Sequence, residues 1–418
     1  MNKFLKSVLV TWLLLSSQLA WSDTLIKNVK LANQNIDSAA TVDVMINDST
    51  ITAVGSDLNA SQDTVVIDGA GKVLTAGFFN ANTELGVREV GAVAGTVDSS
   101  SLNARVTSAL QVADAVNPDS VLIPHNRSYG LTHALVVPSA GASMFSGTAA
   151  LIQMSAKGTV VKDAVAQVVR LGSATSELNG GSRAASMALL REAFDDARDY
   201  QRNRGSYNAG SRRDYPMSRL DLEALWPVLD GSMPLLVFVD RASDIRQVLS
   251  FAKKRNIKLI LAGVTEGWRV ADEIAAAKVP VIMDPIENLP ASYDSLGSRL
   301  ENAAQLHEAG VTLLFTGMSW HRTHNAYLVR QSAGNAISNG LPYDAALAAV
   351  TTNPAKVFGL KGQGEVKQGA TANLVLWNGD PFETQTTVAE VFIDGERQSL
   401  VNRGTRLRDR YFSRLQSN

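Results

Sequence analysis

The residues of this chain best placed to do chemistry are few and scattered. Asn80 and Asn82 stand two apart at the end of the apolar run Gly77-Phe78-Phe79, with Ala81 between them. Further along, Asp240, Arg241, Glu266 and Asp284 each follow an apolar run. A carboxylate in such a place can act as general acid or base if burial raises its pKa. Of the five histidines, only His321 and His324 are close in sequence, in Trp320-His321-Arg322-Thr323-His324. An HxxH pair can hold a metal when a third ligand completes the set, and none stands at a recognisable spacing. The other three read as structural: His125 in a loop, His133 ahead of a buried strand, and His307 on a helix surface.

The elements that must position these groups follow from periodicity. Apolar runs at 134–137, 235–239, 259–262, 279–283 and 311–315 do not alternate with polar residues, as expected of strands buried on both faces. Helical patterns at 244–255, 266–277 and 299–309 separate them, which gives the rhythm of βα units and a (β/α)8 TIM-like barrel. Asp240, Glu266 and Asp284 then fall at strand ends, where barrel sites are built. Short strands at 25–29, 42–46 and 51–54, broken by Asn-Asp-Ser and Gly-Ser-Asp turns, are matched near the C-terminus by 373–377 and 388–393. These predict a small β-sandwich domain built from both chain termini. The resulting division is residues 23–70 plus 365–405 for the sandwich and 71–364 for the barrel, with an insertion near 180–215. That insertion reads as a helix followed by a solvated loop bearing Arg202, Arg204, Arg212 and Arg213, or else as a lid over the barrel mouth.

With 418 residues, 45% of them hydrophobic, the chain can build a large core. The formal net charge of −1 argues against nucleic acid or an anionic membrane as a partner recruited by bulk electrostatics. Residues 1–22 read as an export signal: Lys3 and Lys6, then an apolar stretch from Val8 to Leu15, then Ala20-Trp21-Ser22 as a cleavage site. The stretch is far short of the roughly 20 residues a membrane span requires. With no cysteine there is neither lipobox nor disulfide. The expectation is a periplasmic or secreted protein, free of the membrane once the signal is removed.

The run from Gly71 to Asn82 resembles the first barrel strand of the amidohydrolase superfamily, whose text reads G-K-x-V-x-P-G-F-I-D-x-H-x-H. Asn80 and Asn82 are read here at the two His positions. Leu25-Ile26-Lys27-Asn28, Val44 to Asp48 and Ile51 to Gly55 resemble the family's N-terminal strands. Ala345 to Ala355 is similar to its last barrel helix, and Gly369 to Trp377 to its returning strand. Gly130-Leu131-Thr132 and Arg241 to Ile245 resemble an exported, imidazolonepropionase-like subgroup. The resemblance implies a hydrolase of C–N bonds in small amides or peptides. It would use zinc or another divalent metal held by an HxH on strand 1, Lys or Glu on strand 4, His on strands 5 and 6, and Asp on strand 8. There is no His between Ala134 and Leu306 and no Asp or Glu from Leu313 through Tyr343, so the motifs read as degenerate and the metal site as lost. The expectations are therefore no cofactor; Asp240, Glu266 and His324 as candidate catalytic groups; and Asn80, Asn82, Arg241 and His321 as candidate ligand-binding groups. The alternative to a hydrolase is a non-catalytic relative that binds a small molecule or serves as partner subunit of an active exported amidohydrolase.

Overall fold

The computed structural model describes residues 23–33, 36–155, 159–317 and 322–416. The export-signal reading falls on residues 1–22, outside the described residues.

The N-terminal strands β1 (Thr24–Leu31), β2 (Thr41–Asn47), β3 (Thr50–Gly55), β4 (Val65–Asp68) and β5 (Val73–Ala76) carry alternating apolar residues. Ile26, Val44, Ile46, Ile51 and Leu74 pack on one face with Leu374, Leu376 and Phe392 from the far end of the chain. Both ends therefore build one domain, yet their strands join in one continuous eight-stranded sheet rather than two separate sheets. The returning strand, β14 (Leu374–Trp377), lies antiparallel to β5 with Val375 opposite Thr75, and β15 (Val388–Ile393) and β16 (Glu396–Arg397) extend that edge. Trp377 seals the junction with the barrel, its ring 5.1 Å from that of Phe78 and its Nε1 donating to Thr75 Oγ1 at 2.9 Å. Gly130 has φ +91, and a Cβ there would come within 2.2 Å of the Trp377 ring. Only glycine serves at that contact.

The second sheet runs in chain order: β6 (Phe78–Thr83), β7 (Leu131–Val136), β8 (Phe145–Gln153), β9 (Val160–Arg170), β10 (Leu235–Val239), β11 (Leu259–Gly263), β12 (Val281–Met283) and β13 (Leu313–Phe315). β13 lies beside β6, so the sheet nearly closes into a barrel. Its interior is filled by Phe79, Leu135, Leu151, Val168, Leu236, Ile260, Ile282 and Leu314 with small Ala residues between them. Helix Ala242–Arg255 buries Ile245, Val248, Phe251 and Ala252 against the outside, the one-sided pattern of a covering helix.

One departure from a uniform parallel barrel matters. β8 is antiparallel to both β7 and β9, so the third strand reverses and forms a hairpin with the fourth. Within β8, Gly147 lies close under the preceding loop: a Cβ there would meet Leu110 O at 2.3 Å.

The insertion is a packed appendage. Helix Arg183–Asn208 buries Leu190, Ala193, Phe194, Ala197 and Tyr200. Residues 209–215 fold back on it: Arg212 pairs with Asp199 at 3.2 Å, Arg213 with Asp196 at 2.9 Å, and Tyr215 donates to Asp199 at 2.6 Å. Arg204, on the helix itself, pairs with Glu223 at 3.0 Å. Three of the four arginines read as a solvated loop, or else as part of a lid, are thus held by the protein's own carboxylates, which takes away the support for a lid.

Candidate functional site at the barrel mouth

The C-terminal ends of β6, β9, β10, β11 and β13 converge at one end of the barrel. On β6, Asn80 is fully buried; its Nδ2 donates to Ala326 O at 2.8 Å and its Oδ1 accepts from the Asn82 backbone at 3.0 Å. Asn82 Oδ1 accepts from Arg322 Nη1 at 3.3 Å, while its carbonyl accepts from Thr316 Oγ1 at 3.0 Å. Just past the strand, Glu84 is 1% exposed. Its carboxylate pairs with Arg88 at 2.9 Å and with Arg322 at 3.4 Å, and accepts from the Ser139 hydroxyl. The Glu84 backbone N–H donates to Arg322 O, so the same pair is bonded twice.

Arg170 ends β9. Its Nη2 donates to Pro138 O at 2.7 Å, its guanidinium lies 4.0 Å over the Phe238 ring, and its Nε has no hydrogen-bond partner. Burial first, and then Arg322, bring its pKa down to about 9 against the pull of Glu84.

Asp240, after β10, accepts from Thr265 Oγ1 at 2.8 Å. Burial raises its pKa and the Thr265 bonds oppose the rise, while Asp294 and Asp244 add to it. Gly263 at the end of β11 has φ +83, and a Cβ there would sit 2.4 Å from Asp240 Oδ1. The carboxylate occupies the room that any side chain on β11 would need.

The remaining sequence candidates are structural. Glu266 Oε2 accepts from the Ala242 backbone N–H at 2.9 Å and so satisfies an unpaired donor at the start of helix Ala242–Arg255. Arg241 does not pair with Asp240 among the described contacts. It donates to Ser243 Oγ at 3.0 Å, approaches Asp244 at 3.8 Å and lies over the Tyr293 ring. Asp284 accepts from the Ile286 N–H and the Ser332 hydroxyl. Asp294, which the sequence did not single out, ties loops across the mouth. Burial alone would raise it, but bonds from the Ser173 N–H and hydroxyl and from Arg183 hold it below the usual carboxylate range.

His324 is exposed and its Nδ1 contacts Thr323 Oγ1. Its charge is felt at His125, where burial first and then His324 lower the pKa. His125 lies in helix Leu122–Arg127 rather than a loop, its ring against those of Tyr129 and Tyr327. His307 is on a helix surface as expected. His133 is buried but not fully satisfied: Nδ1 meets Thr132 Oγ1 at 3.0 Å while Nε2 has no partner. His321 lies outside the described residues.

Residues 240–404 match the amidohydrolase family model. Over that stretch the chain is similar to the amidohydrolase family. It is 24% identical over 392 residues to Amidohydrolase tasK of Hapsidospora irregularis, and the match covers 85% of this chain but 40% of that protein. The chain thus spans about two fifths of the length of this curated relative. Among solved structures it resembles an amidohydrolase from Thermotoga maritima MSB8, with a TM-score of 0.79, 24% identity, and coverage of 90% of this chain and 99% of that one. It also resembles N-isopropylammelide isopropylaminohydrolase from Burkholderia multivorans, with a TM-score of 0.53, 15% identity, and coverage of 90% and 98%. These likenesses show the fold.

Two expectations change. The family's first-strand text, laid without gaps from Gly71, puts its Asp on Asn80 and its two His on Asn82 and Glu84. Reading Asn80 and Asn82 as the His positions was two residues early, and the missed Glu84 is the most connected group at the mouth. The expectation of no cofactor is also corrected: the match is to a family whose members are typically metal-dependent, so a divalent cation is what the comparison implies.

The residues described here do not fit such an ion. Asn82 offers a neutral amide oxygen already bonded to Arg322, and Glu84 already faces two guanidiniums. Arg170 places a half-buried cation on the fourth strand, where the family has Lys or Glu. Glycines stand at the ends of β11 and β13, as Gly263 and Gly317. Among the described residues no cluster of three His, Cys, Asp or Glu could hold a metal.

Proposed function

We propose that this chain is a non-catalytic amidohydrolase-type barrel that works as the partner subunit of an active amidohydrolase. One observation carries the reading: the polar groups at and just past the end of β6 are bonded within the fold. Asn80 is spent on Ala326 and Asn82, Asn82 on Arg322, and Glu84 on Arg88, Arg322 and Ser139. A hydrolytic site needs groups aimed at where charge develops on the substrate, and groups bonded inward cannot supply that. The partner role rests on the relative's length, most of which lies outside the matched region and leaves room for a further module. The residue pattern of 1–22 supports export, so the proposed partner is another periplasmic or secreted amidohydrolase.

Co-expression with a homologous exported amidohydrolase, followed by size-exclusion chromatography, tests the pairing. A stoichiometric co-eluting complex is expected. Elution of the two chains as separate species would contradict it.

A further inference from the structure

A second basic site lies away from the mouth, where the C-terminal helix Arg403–Gln416 meets helix Leu122–Arg127. A cavity of about 610 Å³ opens between them. Arg403, Arg406 and Arg410 line it, spaced i, i+3 and i+7 so that one helix face presents all three. None of the three guanidiniums has an ion-pair or hydrogen-bond partner among the described residues. The floor is Arg127, 94% buried as its 6% exposure shows. Arg127 Nη1 donates to Met154 O at 2.8 Å and Nη2 to Ser399 O at 3.3 Å, while Nε donates to nothing. Its charge is thus held by two neutral carbonyls. Asp119 is the one acidic residue on the lining, against four guanidiniums.

The wall is anchored. Asn402 Oδ1 caps the helix by accepting from Thr405 N at 3.1 Å, and Asn402 Nδ2 donates to Ser128 Oγ at 2.9 Å. The first turn of the helix is therefore fixed to the element that supplies Arg127.

We propose that this cavity binds the phosphate group of a phosphate-bearing anion. A buried guanidinium without a counter-ion is costly, and an anion in the cavity would offset that cost. Phosphate is favoured over carboxylate because it offers more acceptor oxygens to a ring of Arg forks; a carboxylate satisfies one fork bidentately. Arg408 on the same helix does not line the cavity and pairs with Asp409 at 2.7 Å, so it serves as an internal control.

The test is calorimetric titration of the full chain with inorganic phosphate at low salt, beside co-sedimentation with phosphatidylglycerol and with phosphatidylcholine vesicles. Arg406→Gln/Arg410→Gln should weaken binding by roughly tenfold or more, and Arg408→Gln by less than about twofold. Both sets of residues are exposed, and an unchanged thermal midpoint checks that the variants fold. Saturable phosphate binding without vesicle binding supports a free phosphate as the source. Phosphatidylglycerol binding that depends on Arg406 and Arg410 supports a lipid headgroup. Failure to bind either probe overturns the proposal, as does an equal loss in Arg408→Gln, which would reveal only a diffuse basic surface.

Discussion

The barrel mouth and the C-terminal helix both gather charged residues, and they dispose of the charge in opposite ways. At the mouth, Glu84 pairs with both Arg88 and Arg322, Asp240 rests on Thr265, and Asp294 binds Ser173 and Arg183. Along the helix, the guanidiniums of Arg403, Arg406 and Arg410 face a cavity with no partner of their own among the described residues. A group already bonded inward contributes to stability; a group left open retains affinity for something else. The difference locates structure at the place where the family's chemistry would stand, and binding capacity at a place it would not.

The largest effect that could break this contrast is expected at Glu84. Glu84→Ala strands Arg88 and Arg322 beside the half-buried Arg170, and loss of the buried partner from such a network costs about 3–5 kcal/mol. Urea unfolding measures it. A loss below about 1 kcal/mol would mean that the mouth is not held by this carboxylate.

A second prediction concerns pH. Burial lowers the pKa of His133 from its ordinary 6.5 to about 4 in the fold. The unfolded chain therefore binds more protons between these values, and stability present above pH 6.5 is lost as pH falls toward 4. The span is worth roughly 3 kcal/mol. His133→Gln should flatten that part of the stability profile measured by denaturant midpoints; an unchanged slope would place the proton uptake elsewhere.

The smallest effect is expected in the insertion. Arg213 is 68% exposed where it meets Asp196. Arg213→Ala should change stability by less than about 1 kcal/mol, and by less still in high salt. A larger loss, read by the same unfolding method, would show that the folded-back tail is more than a surface clasp.

How much of this was legible in the sequence depends on the element. β10 was readable to the residue, because Leu235-Leu236-Val237-Phe238-Val239 is an unbroken apolar run between turn signals. β8 and β9 were not. Phe145–Gln153 is rich in Gly, Ala, Ser and Thr, and the first half of Val160–Arg170 is interrupted by the adjacent charges Lys162 and Asp163, so neither shows the signature of a strand buried on both faces. Missing that hairpin hid Arg170 at its end. Glu84 was hidden by a two-residue error along a short motif, which gap-free counting corrects. Asp240 and Glu266 were placed at strand ends, but their roles depend on a glycine at 263 and on an unpaired backbone N–H at 242. Those are facts of three-dimensional packing that no linear pattern carries. Arg403, Arg406 and Arg410 were visible as residues, yet only the docking of their helix against Arg127 makes them a site.

The central proposal is that the polar groups at the end of β6 are bonded within the fold rather than kept for a substrate. It is tested most directly by turnover of the purified chain alone on a panel of amides, cyclic amides and dipeptides, with divalent metal ions supplied. No hydrolysis above buffer is the predicted result. Saturable hydrolysis that disappears in Glu84→Gln or Asp240→Asn would contradict it.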